Sequence, residues 1–194
     1  MILALAALLV QGQVVNNAEL GFKVTVPEGF AVYPEARSQP DVVECWNEAA
    51  PAAASGGLML CVQRLHGVLD RDEPKPEDIP AGGRLVHFKW KAFDVDGVRT
   101  DTAQAGVPLE ILVAQVPLKP EAIQLIVTGP RDQSSRLDAT MNAALASLDG
   151  ETNWLTAEER SGRLGSTSGA AAIAVVLIVA AAAIRKRRRR AAGR

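Results

Sequence analysis

The chain reads as an α+β protein: an antiparallel sheet of about six to seven strands, one helix packed on it near the C-terminal end of the domain, and one transmembrane helix beyond. Three observations predict this. Between Ala18 and Asp149 the apolar residues recur mostly at the period of two that lines one face of a strand, and Gly, Pro, Asn and Asp punctuate the runs at short intervals. Only one segment, about Asp132 to Leu148, changes to helical spacing. After it comes an apolar, Ala-rich run from Gly169 to Ile184, followed at once by Arg185, Lys186, Arg187, Arg188, Arg189 and Arg190.

The first residues point to export. Met1 to Val10 holds no polar side chain, and Gln11, Gly12 and Gln13 end the run. That length suits the apolar core of a signal peptide and is too short to cross a bilayer. Residues 1–12 are therefore expected to be removed before Gln13, although no basic residue precedes the run and no Ala-x-Ala site follows it. The other reading is a buried first strand or helix of the domain.

The stretch from Ala18 to Asp149 is one domain's worth of chain, long enough to bury a single core. In Gly21 to Val26, Phe22, Val24 and Val26 alternate with Lys23 and Thr25, and Pro27-Glu28-Gly29 turns the chain. Val42–Asn47 and Leu58–Leu65 read as strands joined by the soft loop Ala49 to Gly57, and Asp70 to Gly83 is a Pro-rich, acidic, solvated loop. In Val86 to Phe93, Phe88, Trp90 and Ala92 share one face, His87, Lys89 and Lys91 the other, and Asp96-Gly97 is expected to turn a hairpin. Leu109–Val116 and Ile123–Val127 are apolar on both faces, as central strands are, with Leu118–Ala122 a short antiparallel connector. In the helix Leu137, Met141, Leu145 and Leu148 share a face, Ser134-Ser135 stand where hydroxyls cap a helix start, and Gly150 stops it.

The tail sets the topology. From Ser166 to Ile184 a helix is just long enough for roughly 30 Å of hydrocarbon, and the basic cluster behind it belongs on the cytoplasmic side. The expected layout is a signal peptide over 1–12, an extracytoplasmic domain over 18–149, a juxtamembrane stalk over 150–165, a span over 166–184 and a basic tail over 185–194. All 22 acidic residues precede the span and seven of the 21 basic ones follow it, so 14 basic face 22 acidic residues before it, a net of about −8. An acidic ectodomain argues against nucleic acid as a partner, while the basic tail can meet anionic headgroups. In the stalk, Trp154 and Leu155 either pack back on the domain or sit at the membrane interface. The layout is also that of a C-terminal sorting signal, without an LPxTG, PEP or Gly-Gly motif. Ala170 and Ala174, four apart in the span, give weak support to helix pairing.

Motifs for catalysis, metals and cofactors are sparse. His66 and His87 have no second ligand at metal-binding spacing. Asp94-Val95-Asp96-Gly97 is similar to the start of a calcium loop, but Val98 and Ala105 stand where oxygen ligands belong. Neither Gly56-Gly57 nor Gly82-Gly83 is a phosphate loop, and no G-x-S-x-G elbow is present. The pair Glu77-Asp78 lies in the solvated loop, where nothing raises a carboxyl pKa. No catalytic, cofactor or metal residue is assigned; an enzyme would need His66 or His87 brought to a group such as Asp94 by the fold. Cys45 and Cys61 are the informative pair: matching Glu48 with Leu58 across the Ala49–Gly57 loop puts them opposite each other, in reach of a bridge. An exported domain keeps such a bridge, and closing this loop stabilises by roughly 3 kcal/mol; two buried thiols are the alternative.

The opening "LGFKVTVPEGF", the Trp-bearing "HFKWKAF" before "VDGVR", and "VPLKPEAIQLIVTG" before the last helix resemble the PsbP-like superfamily, which includes DcrB-like envelope proteins. Over residues 18–149 the resemblance implies an α/β/α sandwich that acts by binding. The chain departs from it in showing one clear helix, so that a second helical layer lies near Pro34–Val42 or the Asp70 loop, or one sheet face is open; it also lacks a lipidation cysteine. The expected function is a non-catalytic, single-pass binding or accessory domain outside a bacterial cell membrane, meeting an envelope protein or membrane complex. The alternatives are a small-ligand or lipid-binding domain using an open sheet face, and a surface protein cleaved before its C-terminal helix.

Overall fold

The computed structural model describes residues 12–48, 56–71 and 79–156. Residues 1–12 (but for Gly12), most of the stalk, the span at 166–184 and Arg185 to Arg190 lie outside these, and among the described residues no helix is long and apolar enough to cross a membrane.

The strands are β1 (Val14–Asn17), β2 (Phe22–Thr25), β3 (Phe30–Val32), β4 (Val42–Glu48), β5 (Met59–Leu65), β6 (Gly83–Trp90), β7 (Phe93–Gln104), β8 (Val107–Val116), β9 (Ala122–Pro130) and β10 (Asp149–Gly150), with one α-helix, α1 (Ser134–Ser147), before the last. A seven-stranded sheet has the order β3-β4-β5-β9-β8-β7-β6, and every pairing in it is antiparallel. The chain builds the β4–β5 hairpin, moves to the far edge for β6, and returns as the meander β7, β8, β9 until β9 closes on β5. The α+β class, the antiparallel sheet and, among the described residues, the single helix at the C-terminal end of the domain match the sequence expectation; the expected span lies outside the described residues. Among the described residues no second α-helix covers the opposite face of the sheet; the 3-10 turn Pro34–Ser38 packs there through Ala36 against Cys45 and Cys61.

Three details differ from expectation. The Phe22–Thr25 strand belongs to a separate small sheet, β1-β2-β10, formed because Gly150 leads the chain after α1 back onto β2. Asp96-Gly97 does not turn the chain: β6 and β7 meet at Trp90↔Phe93, with Lys91 at φ 52°, and Asp96 and Gly97 lie inside the twelve-residue β7. There a Cβ on Gly97 would stand 2.2 Å from the Val113 carbonyl oxygen and 2.8 Å from the Phe88 ring, so the glycine serves close packing. Ser134 does not cap α1, whose first turn follows Gln133 without a side-chain cap.

The core lies on one face of the large sheet. Trp46, Leu60, Phe88, Trp90, Val95, Leu112, Leu125 and Val127 meet Leu137, Met141, Ala144 and Leu145 of α1, with Phe22 and Val24 of the small sheet. Trp90 carries its polar atom into this layer without loss, because Nε1 donates to the Leu148 carbonyl at 2.9 Å.

Candidate functional site

Strand pleating sends every second residue to the opposite face, and there the register lines up a row across six strands. Cys45 pairs with Cys61, Cys61 with Ile126, Ile126 with Val113, Val113 with Val98, and Val98 with Leu85. At the β4–β5 end the row is covered: Ala36 of the 3-10 turn and Tyr33 pack over Cys45 and Cys61. The two cysteines form a disulfide with their Cα atoms 4.1 Å apart, and the Glu48 N–H donates to the Leu58 carbonyl as their pairing requires.

Toward β8, β7 and β6 the row emerges from under that cover. Val98, Leu85 and neighbouring Ile111 are half-buried and belong to none of the packed core clusters, and no described helix or strand lies over them. One side of the row is polar. Gln63, Gln124 and Gln115 follow one another in register, and Gln124 Nε2 donates to Gln63 Oε1 at 2.5 Å. On the same face of β6 and β7, His87 Nδ1 meets Asp96 at 2.8 Å and Lys89 meets Asp94 at 2.5 Å. Lys89 holds the Asp94 carboxyl below its ordinary range, chiefly through that hydrogen bond. His87 thus lies opposite Asp96, not Asp94, and His66 meets Asp41 at 2.7 Å on another element. Among the described residues no three His, Cys, Asp or Glu side chains gather where a metal could sit.

One charged cluster was not read from the sequence. Arg99, on the core side of β7, reaches under the start of α1, where Nη1 donates to Glu110 at 3.1 Å and to Ser134 Oγ at 2.6 Å, while Nη2 meets Asp138. Glu110 is 3% exposed and Arg99 8%. These contacts join β7 and β8 to the first turns of α1. The signal was an arginine in phase with Val95 and Gly97, at an inward position of a strand.

The described part of the expected stalk packs on the domain. Leu118 bridges Thr152, the Lys119 N–H donates to the Glu151 carbonyl, and Trp154 Nε1 donates to the Leu69 carbonyl at 2.8 Å. The Trp154 ring meets Phe93 edge-on at 5.9 Å, and the Arg71 guanidinium lies 5.4 Å from it. Of the two places open to Trp154, the indole takes the one against the domain.

No family model and no curated protein matches this chain. Among solved structures it is similar to LpqN of Mycobacterium tuberculosis, described as involved in cell envelope biogenesis, at 15% identity and a TM-score of 0.46 over 71% of this chain and 89% of that one. It is also similar to a protein of Bacteroides thetaiotaomicron at 12% identity and a TM-score of 0.49, over 74% of this chain and 50% of that one. The chain thus spans half the length of the second. Membership of the PsbP-like superfamily is not among these findings.

Proposed function

We propose that this chain is a single-pass membrane protein whose domain stands outside the cytoplasm and binds another envelope protein, or a membrane complex, without catalysis of its own. The observation that carries the binding role is the half-buried end of the cross-strand row, Val98 and Leu85 with neighbouring Ile111, flanked by hydrogen-bonding amides and by charge pairs. An apolar centre with a polar rim is how protein interfaces are built, whereas small-ligand sites are concave and bury most of the ligand. The anchor and its orientation rest on the apolar stretch 166–184 and the six basic residues after it. The Cys45–Cys61 bridge fits an oxidising compartment, and the PsbP-like sequence pattern points to binding as well.

The test is a photo-crosslinking amino acid placed at Val98 or Ile111, with Arg136 on the exposed side of α1 as the reference position, in cells that make the full chain. A discrete protein adduct from 98 and 111 that is absent at 136 is the expected result. Equal labelling at all three positions, or none, overturns the assignment of this face.

A further inference from the structure

We infer that the end of the domain formed by residues 66–71, 118–121 and 151–156 faces the bilayer, with Val68 and Lys119 against the lipid headgroups; this rests on the membrane anchor proposed above. The chain leaves the described domain at Thr156, at the end of the sheet where β5 stops, β9 begins and the β6–β7 hairpin turns. That exit point is fixed. Trp154 and Asn153 both donate to the Leu69 carbonyl, and Arg71 Nη1 donates to the Leu155 carbonyl at 3.1 Å. The neighbouring loop is held in turn, because the Ala122 N–H donates to the Gly67 carbonyl.

Residues 157–165 separate Thr156 from Ser166, where the apolar stretch starts, and those ten steps reach at most about 36 Å when fully extended. The opposite end of the sheet is the β7–β8 hairpin at Gln104–Val107, one strand length away, and β8 itself spans roughly 30 Å. A domain standing on that hairpin would need the linker pulled straight along its whole height, at a large cost in chain entropy. A domain standing on the Thr156 end needs no such extension.

The surface at this end suits the location. Val68 is 51% exposed, one of four large apolar side chains left in solvent among the described residues, Val107 at the opposite end being another at 47%. Lys119, on the loop that the Ala122–Gly67 hydrogen bond ties to the Val68 loop, is exposed and has no ion-pair partner among the described residues, while Asp70, Glu121 and Glu151 share this end of the domain. An exposed apolar side chain and an exposed ammonium on two linked loops match the acyl-headgroup boundary and its phosphates.

Because Cys45 and Cys61 are bridged, a cysteine introduced as Val68→Cys or Val107→Cys is the single free thiol and takes one environment-sensitive fluorophore. Each labelled full chain is reconstituted in phosphatidylcholine vesicles with and without a doxyl-quencher lipid. The expected result is quenching at least twofold stronger for the label at 68 than at 107, on protein that stays with the vesicles through a carbonate wash. Equal quenching, or stronger quenching at 107, on protein that stays with the vesicles overturns the orientation and leaves the anchor standing. Protein washed from the vesicles overturns the anchor and the orientation with it.

Discussion

Cys45 and Cys61 lie 16 residues apart and face each other on neighbouring strands beneath Ala36 and Tyr33. Their bridge shortens the free chain of the unfolded state, and for a loop of this size that contributes about 3 kcal/mol. The double variant C45A/C61A is expected to lose about that much in urea unfolding, and reduction of the parent protein should reproduce most of the loss; a change below about 1 kcal/mol would count against it. Asp149 gives a pH prediction at the same scale. Its carboxylate accepts from Lys91 Nζ at 2.7 Å and from the Gly150 N–H at 2.9 Å, and the lysine hydrogen bond, then the backbone one, hold its pKa below the ordinary 3.8. Because the folded value is the lower one, the contribution to stability is complete above pH 3.8 and is lost as pH falls through the folded pKa. A carboxyl-carbon NMR titration of Asp149 should give a midpoint under 3.8 that moves up toward it in K91M; an unmoved midpoint would remove Lys91 as the cause.

At the scale of elements, the β6–β7–β8 meander holds both what the sequence made legible and what it did not. Alternation placed Phe88 and Trp90 on the core face, and two-sided apolarity placed β8 and β9 at the centre of the sheet. Asp96-Gly97 carried an equally plain turn signal and was misleading. The same glycine that tolerates a turn is also demanded wherever two strands and a ring approach too closely for a Cβ, and only the packed neighbours Val113 and Phe88 separate the two cases. G97A is therefore expected to destabilise the domain by about 1–3 kcal/mol through overpacking at the middle of the sheet, measured by thermal or urea unfolding. A turn glycine at that position would have cost less than about 1 kcal/mol. The β1-β2-β10 sheet was hidden for a different reason: two residues after a helix, Asp149 and Gly150, carry no strand pattern, and their pairing with Lys23 and Phe22 is set by where α1 ends.

For the whole molecule, the two faces of the large sheet have different fates, and β7 reads both. Val95 points into the layer under α1 and is fully buried, whereas Val98 points into the uncovered row beside Val113 and Leu85. The disulfide was legible because strand pairing fixes which residues meet. The open face was legible only as one of two options, since the sequence does not say whether a short segment such as Pro34–Ser38 covers two strands or seven. Lysine at each valine separates core from surface in one experiment. V95K places an ammonium in the core with no carboxylate beside it, and a loss of roughly 4 kcal/mol or more, enough to unfold a domain of ordinary stability, is expected. V98K leaves its ammonium on the half-buried face, two residues along β7 from Asp96, and stability should stay within about 1 kcal/mol of the parent. If V98K keeps the fold and its melting temperature but loses the crosslinked adduct formed from position 111, the face is a binding surface and not a second core. If V98K unfolds like V95K, the row is closed by a part of the chain outside the described residues, and the binding surface must be sought on another face of the molecule.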